Sequence, residues 1–150
     1  MATTCGFSPL YTDKDSIKIF KEIDIGREKT PLAFLIQEAL LEKAPFKKSG
    51  KNLLHIKPDI KVSYGIITTD NEITRYSVTL DVEYRLYNKE TKEIFIKNNV
   101  SATSDYSAAV TRTGFATEIA RRDTYERLAD TVAEKMITEI LINNQIKYSP

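Results

Sequence analysis

Tryptophan is absent, and cysteine and histidine occur once each, as Cys5 and His55. A lone cysteine excludes an internal disulfide framework. A lone histidine leaves any His-based zinc site or His-dependent nucleophile resting on His55 alone. Glycine is sparse too, its five copies scattered at 6, 26, 50, 65 and 114. Phosphate-cradling loops of the GxGxxG or GxxxxGK type are therefore missing. No apolar run approaches the ~18 residues of a transmembrane helix. Nor does either sign of charge dominate, since 22 Lys and Arg face 21 Asp and Glu. That balance gives no support for nucleic acid or a membrane surface as a bulk electrostatic partner. No cofactor and no metal is expected. Asp81 and Glu83 stand two apart on one strand face, without a visible acid–base partner, so an enzyme is the weakest reading.

What the chain does have is alternation. From Thr74 to Leu86, TRYSVTLDVEYRL, the residues Tyr76, Val78, Leu80, Val82, Tyr84 and Leu86 alternate with polar ones without a break. A two-residue period is that of a β-strand with one apolar face. At roughly 3.3 Å per residue this strand spans about 43 Å. Earlier in the chain, Ser16–Ile25 reads as a first strand, with Ile17, Ile19, Ile23 and Ile25 on one face. Thr30-Pro31 has the form of a helix start. Leu32, Leu35, Ile36, Ala39 and Leu40 then make an apolar stripe up to Pro45, with Phe34 and Leu41 off it. A second strand runs from Leu53 to Thr68; Pro58 inside it implies a strand start, an edge or a bulge. A fourth covers Glu93–Thr103, with Asn98 interrupting its apolar series. Residues 104–113 read as a small-residue connection. From about Phe115 to Ile142 the pattern is helical, its stripe containing Ile119, Leu128, Ala129, Val132, Met136, Ile137, Ile140 and Leu141. Asn143-Asn144 is expected to end that helix.

The predicted order is β-α-β-β-β-α, an α+β two-layer sandwich: a four-stranded sheet with two helices on one face and a right-handed crossover through the first helix. Residues 1–15 read either as an ordinary tail with one free thiol or as an N-terminal lipoprotein tether attached through Cys5, 16–143 as the domain and 144–150 as a tail. The uncovered face carries Lys57, Asp59, Lys61, Ser63, Ser77, Thr79, Asp81, Glu83, Lys97, Asn99, Ser101 and Thr103. It reads either as an ordinary solvated surface or as a wall of short polar groups docked in a polar lumen. Lys47, Lys48 and Lys51 read as solvated loop lysines, and His55 as a surface histidine.

Three features together resemble the lipopolysaccharide-assembly lipoprotein family LptE in its alphaproteobacterial form. They are the start Cys5-Gly6-Phe7-Ser8-Pro9-Leu10-Tyr11, the element order, and the long strand followed by Asp105-Tyr106-Ser107 and the helix segment 121–129, RRDTYERLA. The resemblance implies a non-enzymatic, periplasm-facing lipoprotein of the outer membrane. Cys5 would be its acylated anchor once a signal peptide upstream of Thr3 had been removed. The domain would plug the β-barrel partner LptD and assist delivery of lipopolysaccharide to the outer leaflet. Lipid A phosphates call for Arg or Lys. The sheet-side candidates are Arg75, Arg85, Lys57 and Lys61, and the helix-side ones Arg121 and Arg122, each also readable as solvated or ion-paired surface. The alternative is an extracytoplasmic protein-binding or inhibitor module without a lipopolysaccharide role.

Overall fold

The alternating stretch becomes the middle of a meander of three strands, β2 (Asn52–Ile67), β3 (Ile73–Asn88) and β4 (Ile94–Ala109), each 16 residues long. They follow α1 (Lys14–Lys21), β1 (Ile23–Ile25) and α2 (Pro31–Lys43), and precede α3 (Gly114–Tyr148). The computed structural model describes residues 14–26, 29–67, 73–109 and 114–148. The sheet order is β1-β2-β3-β4, with β1 parallel to β2 and the meander antiparallel. The α+β class, the four strands and the helix-covered face are as the sequence predicts.

Both helix ends of α2 explain themselves locally. The Thr30 side chain accepts from the Ala33 N–H at 3.3 Å, Pro31 fills the first turn, and the Ala44 N–H closes onto the Leu40 carbonyl at 3.1 Å. In the β3–β4 turn the Asn88 side chain accepts from the N–H groups of Glu90 and Thr91, at 2.8 and 3.0 Å. Gly50 is required by a close approach, because a Cβ there would lie 2.5 Å from the Glu22 carbonyl. The loop from α2 passes over that junction to place the Asn52 N–H on the Glu22 oxygen, 3.0 Å away.

Three expectations are corrected. Ser16–Ile25 is not one strand: residues 14–21 are helix α1, and only Ile23–Ile25 pairs, with Asn52–Leu54. Phe20, off the face that the strand reading chose, is the fully buried anchor, its ring edge-on to Phe46 at 5.1 Å. The isoleucines favoured a strand by propensity, but packing of Phe20 decided for the helical turn. Second, β4 does not stop at Thr103 but continues through Ala109, because small residues in an edge strand keep pairing when the neighbouring strand extends beside them. Third, α3 does not end at Asn143 and runs to Tyr148. Ile119 also leaves the predicted stripe and is 53% exposed. It lies nine residues before Leu128, about two and a half turns, and so on the opposite side of the helix.

The core is one cluster. From the sheet come Leu54, Ile56, Val78, Leu80, Val82, Tyr84, Leu86, Val100 and Ala102; from α2, Ala33, Ile36, Ala39 and Leu40; from α3, Leu128 through Leu141 on one face. Strand and helix lengths match, at ~53 Å for 16 residues and ~52 Å for 35. α3 therefore runs the length of β3 and β4, while α2 packs on β2. Lys43 joins the two helices, with its Nζ 2.7 Å from Asp130 and 3.3 Å from Glu134. Burial works against the Lys43 charge, yet hydrogen bonds to both carboxylates leave its pKa above the usual lysine value.

Candidate functional site

Register turns the uncovered face into rows. Reading across β2, β3 and β4, these rows are His55–Arg85–Lys97, Lys57–Glu83–Asn99, Asp59–Asp81–Ser101, Lys61–Thr79–Thr103 and Ser63–Ser77–Asp105. All project from the side of the sheet opposite the core, because the alternate residues Ile56, Val78, Leu80, Val82, Tyr84, Val100 and Ala102 are buried. The rows differ in character. The first, near the β3 carboxyl end, is basic, the second sets Lys57 opposite Glu83, the third is acidic, and the fourth joins Lys61 to two hydroxyls. Thr79 and Thr103 share a hydrogen bond of 3.0 Å. Asp59 and Asp81 stand directly opposite one another, and Lys61 offsets that repulsion with its Nζ 3.6 Å from Asp81. A shallow depression of about 450 Å³ lies over the middle of this face, lined by Lys57, Asp59, Lys61, Asp81, Glu83 and Asn99.

Of the six basic candidates, four have carboxylates beside them. Lys61 has Asp81, Arg75 has Asp105 at 3.5 Å, Arg121 has Glu118 at 2.7 Å and Arg122 has Glu126 at 3.7 Å. The Glu118 hydrogen bond raises the Arg121 pKa further. Among the described residues no carboxylate lies within ion-pair distance of Arg85 or Lys57, which occupy neighbouring rows. Arg75 and Arg85 share β3, but ten residues along a strand is about 33 Å. They are two places, not one site. Arg121 and Arg122 lie on α3, in the helix layer. Cys5 falls outside the described residues. Lys97, opposite Arg85, joins the basic end; the sequence places both on the bare face, but only the register makes them neighbours.

At the far end of the helix-covered side, Tyr76 and Tyr106 stack at 5.0 Å between ring centroids. Burial, then the neighbouring Tyr125 and Tyr76, raise the Tyr106 pKa. Asn98, which interrupts the apolar series of β4, faces the helices: its side-chain N–H donates to Glu139 at 2.9 Å, and the same carboxylate accepts from the buried Tyr84 hydroxyl. Burial followed by that hydrogen bond raises the Tyr84 pKa far above the usual phenol value. Among the described residues no group of three or more His, Cys, Asp or Glu is arranged to hold a metal ion.

Long antiparallel strands roofed by helices on one side, with the other side polar and open, define a scaffold for presenting a surface. Residues 29–140 match the family model LptE, lipopolysaccharide-assembly, and the chain belongs to that family. The fold is shared with a candidate lipoprotein of Caulobacter crescentus, at 15% identity, a TM-score of 0.71, and coverage of 89% of this chain and 98% of that one. It is shared as well with rare lipoprotein B of Shewanella oneidensis, at 15% identity and a TM-score of 0.58, with 84% and 96% covered. A minor lipoprotein of Acinetobacter baumannii follows, at 11% identity and 0.53, with 78% and 91% covered. No curated protein sequence matches the chain.

Proposed function

We propose that this chain is a non-enzymatic lipopolysaccharide-assembly lipoprotein of the outer membrane. Anchored at its periplasmic face through acylated Cys5, it plugs the LptD β-barrel and assists lipopolysaccharide delivery to the outer leaflet. The observation that carries this reading is the family match across α2, the three long strands and most of α3. The open sheet face supports it physically. Its middle rows are short hydroxyls and self-compensating charges, a surface able to exchange water for a polar lumen wall with little loss.

Within that reading, the lipid A phosphates are met at the basic end by Arg85 and Lys57, with Lys97 beside them. Charge-assisted hydrogen bonds need donors not already committed to a carboxylate, and this condition favours that end over Arg75, Lys61, Arg121 and Arg122. Co-expression with the barrel tests the plug. The two chains are expected to elute together after detergent extraction, and separate elution removes the plug role. For the lipid, Arg85→Glu with Lys57→Glu is expected to weaken lipopolysaccharide binding severalfold while Arg75→Glu leaves it unchanged; equal effects of the two variants would eliminate the site.

A further inference from the structure

The sheet has two long outer edges, and backbone direction decides what each offers. The Lys89 N–H donates to the Lys51 carbonyl at 3.0 Å, so β3 residues of odd number bond toward β2. Even-numbered ones therefore bond toward β4, and through the register the odd-numbered residues 99, 101, 103 and 105 of β4 point their N–H and C=O groups outward. On the opposite edge, β1 covers only Asn52–Leu54. Beyond it Pro58, opposite Val82, presents no N–H where one would otherwise point outward. That edge is blunted by covalent structure.

The β4 edge is blunted at the same level by side chains instead. Val100 is the β4 partner of Val82. On either side of Val100, the Asn99 N–H donates to the Asn98 side-chain oxygen at 2.8 Å, and the Ser101 carbonyl accepts from Lys135 Nζ of α3 at 2.6 Å. These two outward groups would form the central rungs of any added strand. Unlike a proline, both caps are reversible.

We propose that the outer edge of β4 is a strand-pairing surface for a second copy of this chain, held closed at its centre by Lys135. Charge complementarity selects the occupant and the register. Lys97 and Asp105 each lie four residues from Ser101, so two β4 strands pairing antiparallel about Ser101 set Lys97 of each copy opposite Asp105 of the other. In the same register Val100 meets Ala102, apolar on apolar. Within one copy Lys97 faces the like-charged Arg85, and a carboxylate arriving from the second copy offsets that repulsion. The pairing buries an otherwise open strand edge, of the kind that drives self-association when left unguarded.

Sedimentation velocity on the full chain tests this. Lys135 is exposed, and Lys135→Ala is expected to keep the fold by circular dichroism while its apparent mass doubles with rising concentration. Lys135→Arg, which still donates to the Ser101 carbonyl, stays monomeric over that range. Adding Asp105→Lys to Lys135→Ala abolishes the dimer, and adding Lys97→Asp as well restores it. A monomeric Lys135→Ala at every concentration overturns the proposal, as does a dimer indifferent to the charge exchange. If Lys135→Ala loses its fold, Lys135→Met, which keeps the chain's bulk without a donor, replaces it, and the charge exchange in that background decides in the same way.

Discussion

The two faces of the sheet come from the same three strands and the same alternation, yet different physics maintains them. On the covered face Ile56, Val78, Leu80, Val82 and Tyr84 are wholly buried, and each large aliphatic side chain there contributes on the order of 1.5–3 kcal/mol through loss of apolar surface to water. On the open face the neighbours of those residues meet each other across strands through hydroxyls and exposed ion pairs, each worth about 0–1 kcal/mol. Adjacent residues such as Thr79 and Leu80 thus have very different consequences for stability. What the open face lacks in stabilisation it offers as a surface that can be rewritten without unfolding the domain.

The widest break in this comparison is Leu80→Ala set against Thr79→Ala. Chemical denaturation is expected to show a loss of about 2–5 kcal/mol for the first, from transfer and cavity terms together. The second is expected to stay within about 1 kcal/mol. Next comes a polar device on the covered side, where strand meets helix. Glu139→Ala leaves the Tyr84 hydroxyl buried without its acceptor and frees Asn98, and is expected to cost about 1–3 kcal/mol in the same assay. Combining it with Tyr84→Phe is expected to recover part of that loss, since the orphaned hydroxyl is then gone.

A smaller and pH-dependent effect follows from the same tyrosine. Burial and Glu139 hold the folded-state pKa of Tyr84 above its unfolded value of about 10. The stability this contributes is complete below about pH 10 and declines as pH rises above it, with a slope of at most ~1.4 kcal/mol per pH unit. Tyr84→Phe is expected to flatten that decline relative to the parent protein, as read from unfolding midpoints between neutral and strongly alkaline pH. The smallest effect is on the open face. Lys61→Ala removes a 3.6 Å exposed ion pair and is expected to shift stability by less than about 1 kcal/mol, with the shift shrinking further at high salt.

Much of this architecture is legible in the order of residues. The period of two in β3, the Thr30-Pro31 helix start and the stripe from Leu128 to Leu141 each specify their element through a local rule, and each holds. The misreadings share one cause. Ile17, Ile19, Ile23 and Ile25 fit a strand by spacing, but Phe20 had to reach Phe46 and the core, so residues 14–21 coil. Ile119 has helical character without a helical partner beneath it. The basic candidates illustrate the same limit. Spacing puts Arg75 and Arg85 on one face of one strand, whereas distance, neighbouring carboxylates and register separate them and bring Lys97 to Arg85.

Ile119 and Phe20 apart, the sequence by itself determined which face of each long element meets water, because alternation and helical stripes are properties of short stretches, and burial follows them. It determined the family as well, through residues 29–140. Tertiary structure alone decided which charges are neutralised, which strand edge is sealed by a proline and which by a lysine from α3, and where a polar Asn98 belongs in an apolar row. Those outcomes depend on groups far apart in the chain arriving within about 3 Å of each other, the range over which hydrogen bonds act, and no local pattern encodes that arrival.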